Sequence, residues 1–504
     1  MRDFIEINTD RMDPPKVGDG LYENRTALVE MQEDVPEVSI IVQAFNRLEK
    51  TRRCVESILS HTKNIDYELI LLDNGSSDGT LDYFRSVPWP KKKIIHITKN
   101  IGAGYPMLEV SLRSLGKYLC VLANDNIVTA NWLDNLLTCM RSDPKIGMVN
   151  PVSSNASNLQ GVNLSYSTYE EMQKKAARFN LSDPRKWEDR LRIITLGTLY
   201  RKEVFLASGW PMVDAGFFHD FGDDDLTFKI RRLGYRTVLA GDTWICHDHD
   251  LSRGEDKDPA VFHRSLEIGR ENFREKYFGV DAWEDVNNFY IPYLGHFPPP
   301  RVTGRARGLG GDVRCGTPIL DIKNWLRKSG IFDTELSAFI QDPKYWLDLK
   351  TICAGPVLCD REEFLTDSFL SDYFDYVVAD RPLNRYHEPQ KMLDGLFSLC
   401  KPGGMVACKL KNTFSFQEYV HLLGQRQVYD REFAYGCPAD VVHAALSRLG
   451  TVKAVISIPF DLGENSRRTV ENLIPAELPK AQRSDILNRM LCREYLFLTE
   501  KSDS

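Results

Sequence analysis

Val38-Ser39-Ile40-Ile41-Val42, followed by Gln43-Ala44-Phe45-Asn46-Arg47, sets the architecture of this chain. A short, almost wholly apolar run of this kind belongs to a strand buried on both faces, as in parallel sheets. Asn46-Arg47 then opens an amphipathic helix carrying Leu48, Val55, Ile58 and Leu59 on one side. Glu68-Leu69-Ile70-Leu71-Leu72-Asp73 repeats the strand pattern and runs into the turn-rich Asn74-Gly75-Ser76-Ser77-Asp78-Gly79-Thr80. A helix is expected from Leu81, and residues 94–97 and 118–123 supply two further strands. Strands and helices alternating at this spacing predict an α/β fold, a parallel sheet joined by right-handed crossovers.

At 504 residues the chain exceeds a single core. Its 42% hydrophobic and 27% charged residues describe an ordinary globular protein rather than a disordered one. Acids outnumber bases, 71 to 64, with no basic stripe, so nucleic acid is not an expected partner. No apolar run reaches the ~18 residues of a transmembrane helix. Met1-Arg2-Asp3-Phe4-Ile5-Glu6 lacks the apolar core of a signal peptide. The eleven cysteines form no C-x-x-C pair, and Cys54, Cys120, Cys139 and Cys246 fall in apolar patterns. They read as small buried hydrophobes in a reducing compartment, so a cytoplasmic location is expected. The pattern divides the chain into an irregular leader (1–36), a first α/β domain (37–286), a Pro- and Gly-rich linker (287–311) and a second α/β domain (312–504). Pro298-Pro299-Pro300 and the Gly- and Arg-rich run through Gly311 mark the linker.

In open α/β sheets ligands gather at the carboxyl ends of the strands. Four ends in the first domain carry polar residues suited to one ligand: Gln43-Ala44-Phe45-Asn46, Asp73-Asn74-Gly75-Ser76, Asn100-Ile101-Gly102-Ala103-Gly104 and Asn124-Asp125-Asn126. A carboxylate at Asp73 can accept hydrogen bonds from a base or ribose. Small residues at 102–104 let a backbone approach a ligand closely. Asp-Asn-Gly-Ser alone is ordinary turn chemistry, and it is the recurrence in strand order that points to a site.

These stretches resemble the family 2 glycosyltransferases of the GT-A fold. Residues 39–47 with 73–80 look like the family's opening, Asn100-Ile101-Gly102 like its N-x-G loop, and Asn124-Asp125 like the end of its D-x-D metal motif. Phe221-Gly222-Asp223-Asp224-Asp225-Leu226 is similar to its ED-x-D-L signature, and a strand ending in Cys246-His247 follows. The resemblance spans about 38–275 and departs from the pattern at Ala123 and Gly222. It implies an inverting, metal-dependent transfer from a nucleotide-sugar donor to a hydroxyl of a surface glycan or of a protein such as flagellin. A uracil donor is favoured over thymine or guanine, and a soluble acceptor over a lipid-linked one. Ala44, Asn46, Asp73, Asn100, Gly102 and Asn124 would bind the donor. Asp125, joined by His247 and with His249 nearby, would hold Mn2+ or Mg2+. Asp223 would be the general base, with Asp225 as a second catalytic carboxylate or an orienter of the following arginines. Mutual repulsion among Asp223, Asp224 and Asp225 should raise at least one pKa, which favours proton acceptance.

In the second domain, Phe374-Asp375-Tyr376-Val377-Val378-Ala379-Asp380, His387-Glu388-Pro389 and Leu399-Cys400-Lys401-Pro402-Gly403-Gly404 look like the later strands of a class I methyltransferase. The expected glycine-rich cofactor turn is matched only by Val313-Arg314-Cys315-Gly316-Thr317-Pro318. Arg314 and Pro318 stand where glycines are wanted, so S-adenosylmethionine is not an expected cofactor and the domain reads as a scaffold or acceptor-binding module. His387-Glu388-Pro389 reads as a helix start and Lys409-Leu410-Lys411 as a solvated strand end. Two rival readings follow from the same residues: a methyltransferase whose front domain only binds a glycan or nucleotide, and a scaffold with both sites dead.

Overall fold

The computed structural model of the chain describes residues 3–9, 35–102, 104, 106–208, 217, 221–248, 259–286, 291–302, 304–423, 436–460 and 462–502. They divide into two compact units, Met1–Asn287 and Asn288–Ser504. In the first, the strands are β1 (Phe4–Ile7), β2 (Val38–Ala44), β3 (Tyr67–Asn74), β4 (Lys92–Ile97), β5 (Tyr118–Ala123), β6 (Asn126–Ile127), β7 (Ile146–Ser153), β8 (Trp187–Asp189), β9 (Thr198–Arg201) and β10 (Arg236–His247). They form one sheet in the order β1-β4-β3-β2-β5-β9-β7-β10-β6, with β8 on β10. From β1 to β5 every pairing is parallel. The antiparallel β9 then separates β5 from β7.

The expected double burial is visible residue by residue along β2. Val38, Ile40 and Val42 face a core completed by Cys54, Val55 and Ile58 of helix Leu48–His61 and by Trp132, Leu133 and Leu136 of helix Trp132–Ser142. Ile41 faces the opposite layer, with Ile70, Leu72, Ile95, Met107 and Phe205. All eleven cysteines are free, and the four singled out from the sequence are buried. Among the described residues no helix is long and apolar enough to cross a membrane.

Two segments read as irregular are strands. Part of the leader forms β1, whose four residues pair with Ile94–Ile97 of β4. A four-residue strand whose partner lies so far along the chain leaves no local periodicity to read. In the second unit the strands are β11 (Ala306–Gly311), β12 (Thr334–Ile340), β13 (Val357–Cys359), β14 (Phe374–Ala379), β15 (Cys400–Lys411), β16 (Gly450–Pro459) and β17 (Cys492–Lys501). Their order is β13-β12-β11-β14-β15-β17-β16. The end of the presumed linker is thus β11, a central strand between β12 and β14. It reads as linker because it is made of small residues, and packing demands them: a Cβ on Gly310 would sit 2.7 Å from Val313 Cγ2 and 2.8 Å from Ile319 Cγ2. Lys409 is likewise no solvated strand end. It is buried in β15 and ion-paired with Asp380, the residue that follows β14. Helix Pro389–Leu399 does begin at His387-Glu388-Pro389, with Pro389 in its first turn.

Trp132 is fully buried and donates from its indole Nε1 to Thr62 Oγ1 at 3.1 Å. Trp132→Ala removes a large core side chain and orphans that hydroxyl, which should cost about 3–5 kcal/mol. Calorimetry should show one unfolding transition lowered by this variant. An unchanged melting profile would contradict the packing described.

Candidate functional site

The sheet's parallel half ends at one edge in turns that hold each other. Asn46 and Arg47, which follow β2, adopt φ values of 54° and 65°. Left-handed geometry costs a non-glycine residue on the order of 1 kcal/mol and persists only where neighbours over-determine it. Here they do. Asn46 donates its backbone N–H to Ser76 Oγ at 2.8 Å, and its side-chain oxygen accepts from Ser77 N at 2.9 Å. Its carbonyl accepts from Asn124 Nδ2 at 2.8 Å, and Leu48 N donates to Asp78 Oδ2 at 2.8 Å.

Asn74 ties down the third turn. Its Nδ2 donates to Asn100 Oδ1 (3.0 Å) and to the Gly102 carbonyl (2.8 Å), and its Oδ1 accepts from Ile101 N (3.2 Å). Gly75 is required between them: at φ 83° a Cβ there would meet Asn100 N at 2.7 Å. Asp73 is fully buried. Its Oδ1 accepts from Ser76 N at 3.0 Å and its Oδ2 lies 2.7 Å from His96 Nδ1, the residue opposite it in the β3–β4 register.

The fourth turn meets the far side of the sheet. β6 pairs antiparallel with the end of β10, Asn126 opposite His247 and Ile127 opposite Cys246. This pairing sets His247 Nε2 3.6 Å from Asp125 Oδ1. Arg47 Nη1 lies 3.9 Å from the other oxygen, Asp125 Oδ2. Ser154 and Asn155 donate to the His247 carbonyl, each at 3.3 Å, and fix the strand end. Among the described residues no group of three or more His, Cys, Asp or Glu side chains could hold a metal. One carboxylate with one imidazole still suits a divalent cation that draws its remaining ligands from a diphosphate and water. His249 lies outside the described residues, as do Ala103 and Asp250.

Helix Gly222–Arg232 begins with its three acids in the first turn and ends with Lys229, Arg231 and Arg232 in the last, matching its dipole at both ends. The acids have separate environments. Asp225 is fully buried, 2.8 Å from Lys229 Nζ and 2.7 Å from Lys276 Nζ, and it accepts from the Tyr277 hydroxyl at 2.6 Å. It therefore ties this helix to helix Pro259–Lys276. Asp224 is buried against Arg192. Asp223 accepts from the neutral Thr195 hydroxyl at 2.5 Å. Burial pushes its carboxyl up to about 6, reinforced by Asp224 and opposed by the Thr195 hydrogen bond. Desolvation thus outweighs the mutual repulsion anticipated from the sequence. Because Thr198 pairs with Val121 in antiparallel register, β9 begins toward the carboxyl end of β5.

Of the residues expected to bind a donor, Asn46, Asp73, Asn100, Gly102 and Asn124 all lie at this edge. Ala44 ends β2 with its side chain in the core, so only its backbone is available. The side-chain amide of Asn124 is given to the Asn46 carbonyl and Thr51 Oγ1, which makes it a brace for the strained turn. Arg47, His96 and Thr195 are not marked as site residues by the sequence, since their partners come from other elements.

Residues 39–205 match the model of glycosyl transferase family 2. An uncharacterized glycosyltransferase of Haemophilus influenzae is 28% identical over 116 residues, 23% of this chain and 36% of its own length. The glycosyltransferase AglE of Haloferax volcanii is 25% identical over 229 residues, 43% of this chain and 68% of its own. A solved mannosyltransferase, PcManGT from Pyrobaculum calidifontis in complex with GDP-Man and Mn2+, aligns at a TM-score of 0.36 and 16% identity, covering 55% of this chain and 76% of its own. The chain spans about a third of the length of the first curated relatives it matches, 29%, 36% and 29%. Within the first unit, residues 39–205 are thus similar to glycosyl transferase family 2.

Proposed function

We propose that this chain transfers a sugar from a nucleotide-sugar donor, through a divalent cation, to a hydroxyl acceptor, with inversion at the anomeric carbon. The observation that carries this reading is a pair of different devices in one unit: the Asp125–His247 pair and a half-buried Asp223 carboxyl raised to about 6. When bound at Asp125 and His247, Mn2+ or Mg2+ would neutralise charge on the departing nucleoside diphosphate. Asp73, Asn100 and the turn at Asn46 offer the donor its polar partners. Asp223 takes the proton of the attacking hydroxyl. At neutral pH a carboxylate of pKa about 6 is ionised, yet basic enough to accept a proton as the bond forms. One such base, with no second carboxylate placed as a nucleophile among the described residues, favours direct displacement. A UDP-linked donor and a surface glycan or protein hydroxyl as acceptor complete the proposal.

For the second unit we propose a class I methyltransferase-like scaffold that serves the acceptor rather than S-adenosylmethionine. The strand order, with β17 inserted antiparallel between β15 and β16, supports the scaffold. The turn after β11 supports the loss of cofactor. Arg314 sits there at φ 51°, and Asp312 is spent on Gln341, accepting from its backbone N at 3.1 Å and its Nε2 at 2.6 Å.

Sugar release from UDP-, GDP- and dTDP-linked donors, assayed with Mn2+ and with chelator, tests the main reading. Activity should require the metal and one nucleotide, and metal-independent turnover would defeat it. The kcat/KM should rise with pH through about 6 and then level, because the ionised Asp223 is the active form. Thr195→Val removes a hydrogen bond that favours the carboxylate, so that midpoint should move upward. An unmoved midpoint would take the base role from Asp223.

Stability separates the two acids further. A carboxyl raised in the folded state stabilises below its unfolded pKa and loses that contribution as pH rises through about 6. Asp223→Asn should therefore stabilise the protein at pH 7 by on the order of 1 kcal/mol relative to its effect at pH 4. Asp225→Asn leaves two lysines without their anion and should destabilise by about 3 kcal/mol. Denaturant titrations in which Asp223→Asn costs as much stability at pH 7 as at pH 4, or Asp225→Asn costs none at pH 7, would refute this division of roles.

A further inference from the structure

Helix Leu48–His61 turns a face toward the site that carries a cation at every third position: Arg47 at its N-cap, then Lys50 and Arg53. The last two hold Asp248. Lys50 Nζ donates to its carbonyl at 2.5 Å and lies 3.8 Å from Oδ1, and Arg53 Nη2 is 2.7 Å from Oδ2. Arg47 addresses the other acid, with Nη1 3.9 Å from Asp125 Oδ2. The carboxylate assigned to the metal therefore has an imidazole at one oxygen and a guanidinium at the other. The arginine is aimed there by a left-handed backbone that four side-chain hydrogen bonds enforce around Asn46 and Leu48.

A divalent cation and a guanidinium sharing one carboxylate repel each other across a site walled by protein. A diphosphate resolves the conflict, since it carries charge for both and guanidinium pairs readily with phosphate oxygens. We propose that Arg47 is an exchangeable counter-ion. It neutralises Asp125 while no cation is there, and it passes to the donor's diphosphate once a divalent cation takes the carboxylate. This couples the two ligands: the metal frees the arginine for the donor, and the donor removes the arginine from competition with the metal. The inference rests on the metal-dependent reading above.

The test uses Mn2+ as its probe, followed by electron paramagnetic resonance, alone and then with UDP or GDP. The proteins are wild type, Arg47→Gly, Arg47→Lys and Asp125→Ala. Glycine adopts the left-handed conformation freely, so Arg47→Gly should keep the turn, and an unchanged melting temperature verifies it. Arg47→Gly is expected to bind Mn2+ alone more tightly than wild type, because the competing cation is gone. With Mn2+ saturating, it should bind the nucleotide about tenfold more weakly, the loss of one charge-assisted contact. Arg47→Lys should fall between. Opposite signs are the signature: if both affinities fall together, or neither moves, the exchange is overturned and Arg47 only shapes the turn. If wild type binds no Mn2+ even with nucleotide, or Asp125→Ala binds it equally well, the metal reading itself fails and the exchange with it.

Discussion

Two residues of β6 pair with the last two of β10, and the chemistry at the sheet's edge depends on that small contact. β5 ends at Ala123, and without the pairing the next residues would leave the sheet as an ordinary loop. With it, Asn126 is fixed opposite His247, and Asp125 is delivered to an imidazole more than a hundred positions away in sequence. The hydrogen bond from Asp248 N to the Asp125 carbonyl, 2.9 Å, extends the ladder by one step. A two-residue strand could not stand alone. It stands because β10 is long, twelve residues, and already anchored along β7.

The braces around this contact are amides and hydroxyls more than charges. Asn74, Asn124 and Asn46 each join two turns, and Ser76 doubles the link that Asn46 makes. Such neutral bonds hold backbone in place without adding net charge beside Asp125 and His247. The charges are sorted instead by depth. Asp224 and Asp225 are buried with cations of their own, whereas Asp223 accepts from a neutral hydroxyl, and desolvation holds its carboxyl up at about 6 against that bond.

The parallel half of the first sheet was legible because burial on both faces forces an apolar run such as Ser39-Ile40-Ile41-Val42, and the polar residues after each run mark the edge. Which polar residues would point outward was not legible. Asn124 and Asn74 look like ligand groups in sequence and act as braces in the fold, since an amide that can serve a substrate can equally serve a turn. The Asp223-Asp224-Asp225 run showed that acids were gathered, and their different fates depend on Arg192, Lys276 and Thr195, which come from other elements. Partners brought by register, His96 to Asp73 and His247 to Asp125, are set by strand pairing, which a single sequence leaves open.

The second sheet escapes the same reading at one strand, for the opposite reason. Its central strand, Ala306-Arg307-Gly308-Leu309-Gly310-Gly311, has little preference for extended structure and few side chains with which to choose its neighbours. β12 and β14, which flank it, are apolar and well able to form. The middle of this sheet cannot seed its own assembly, and its position must be dictated by the strands on either side. The strand at the geometric centre thus contributes closeness of packing, and the apolar side chains that bury the sheet come from the strands on either side of it.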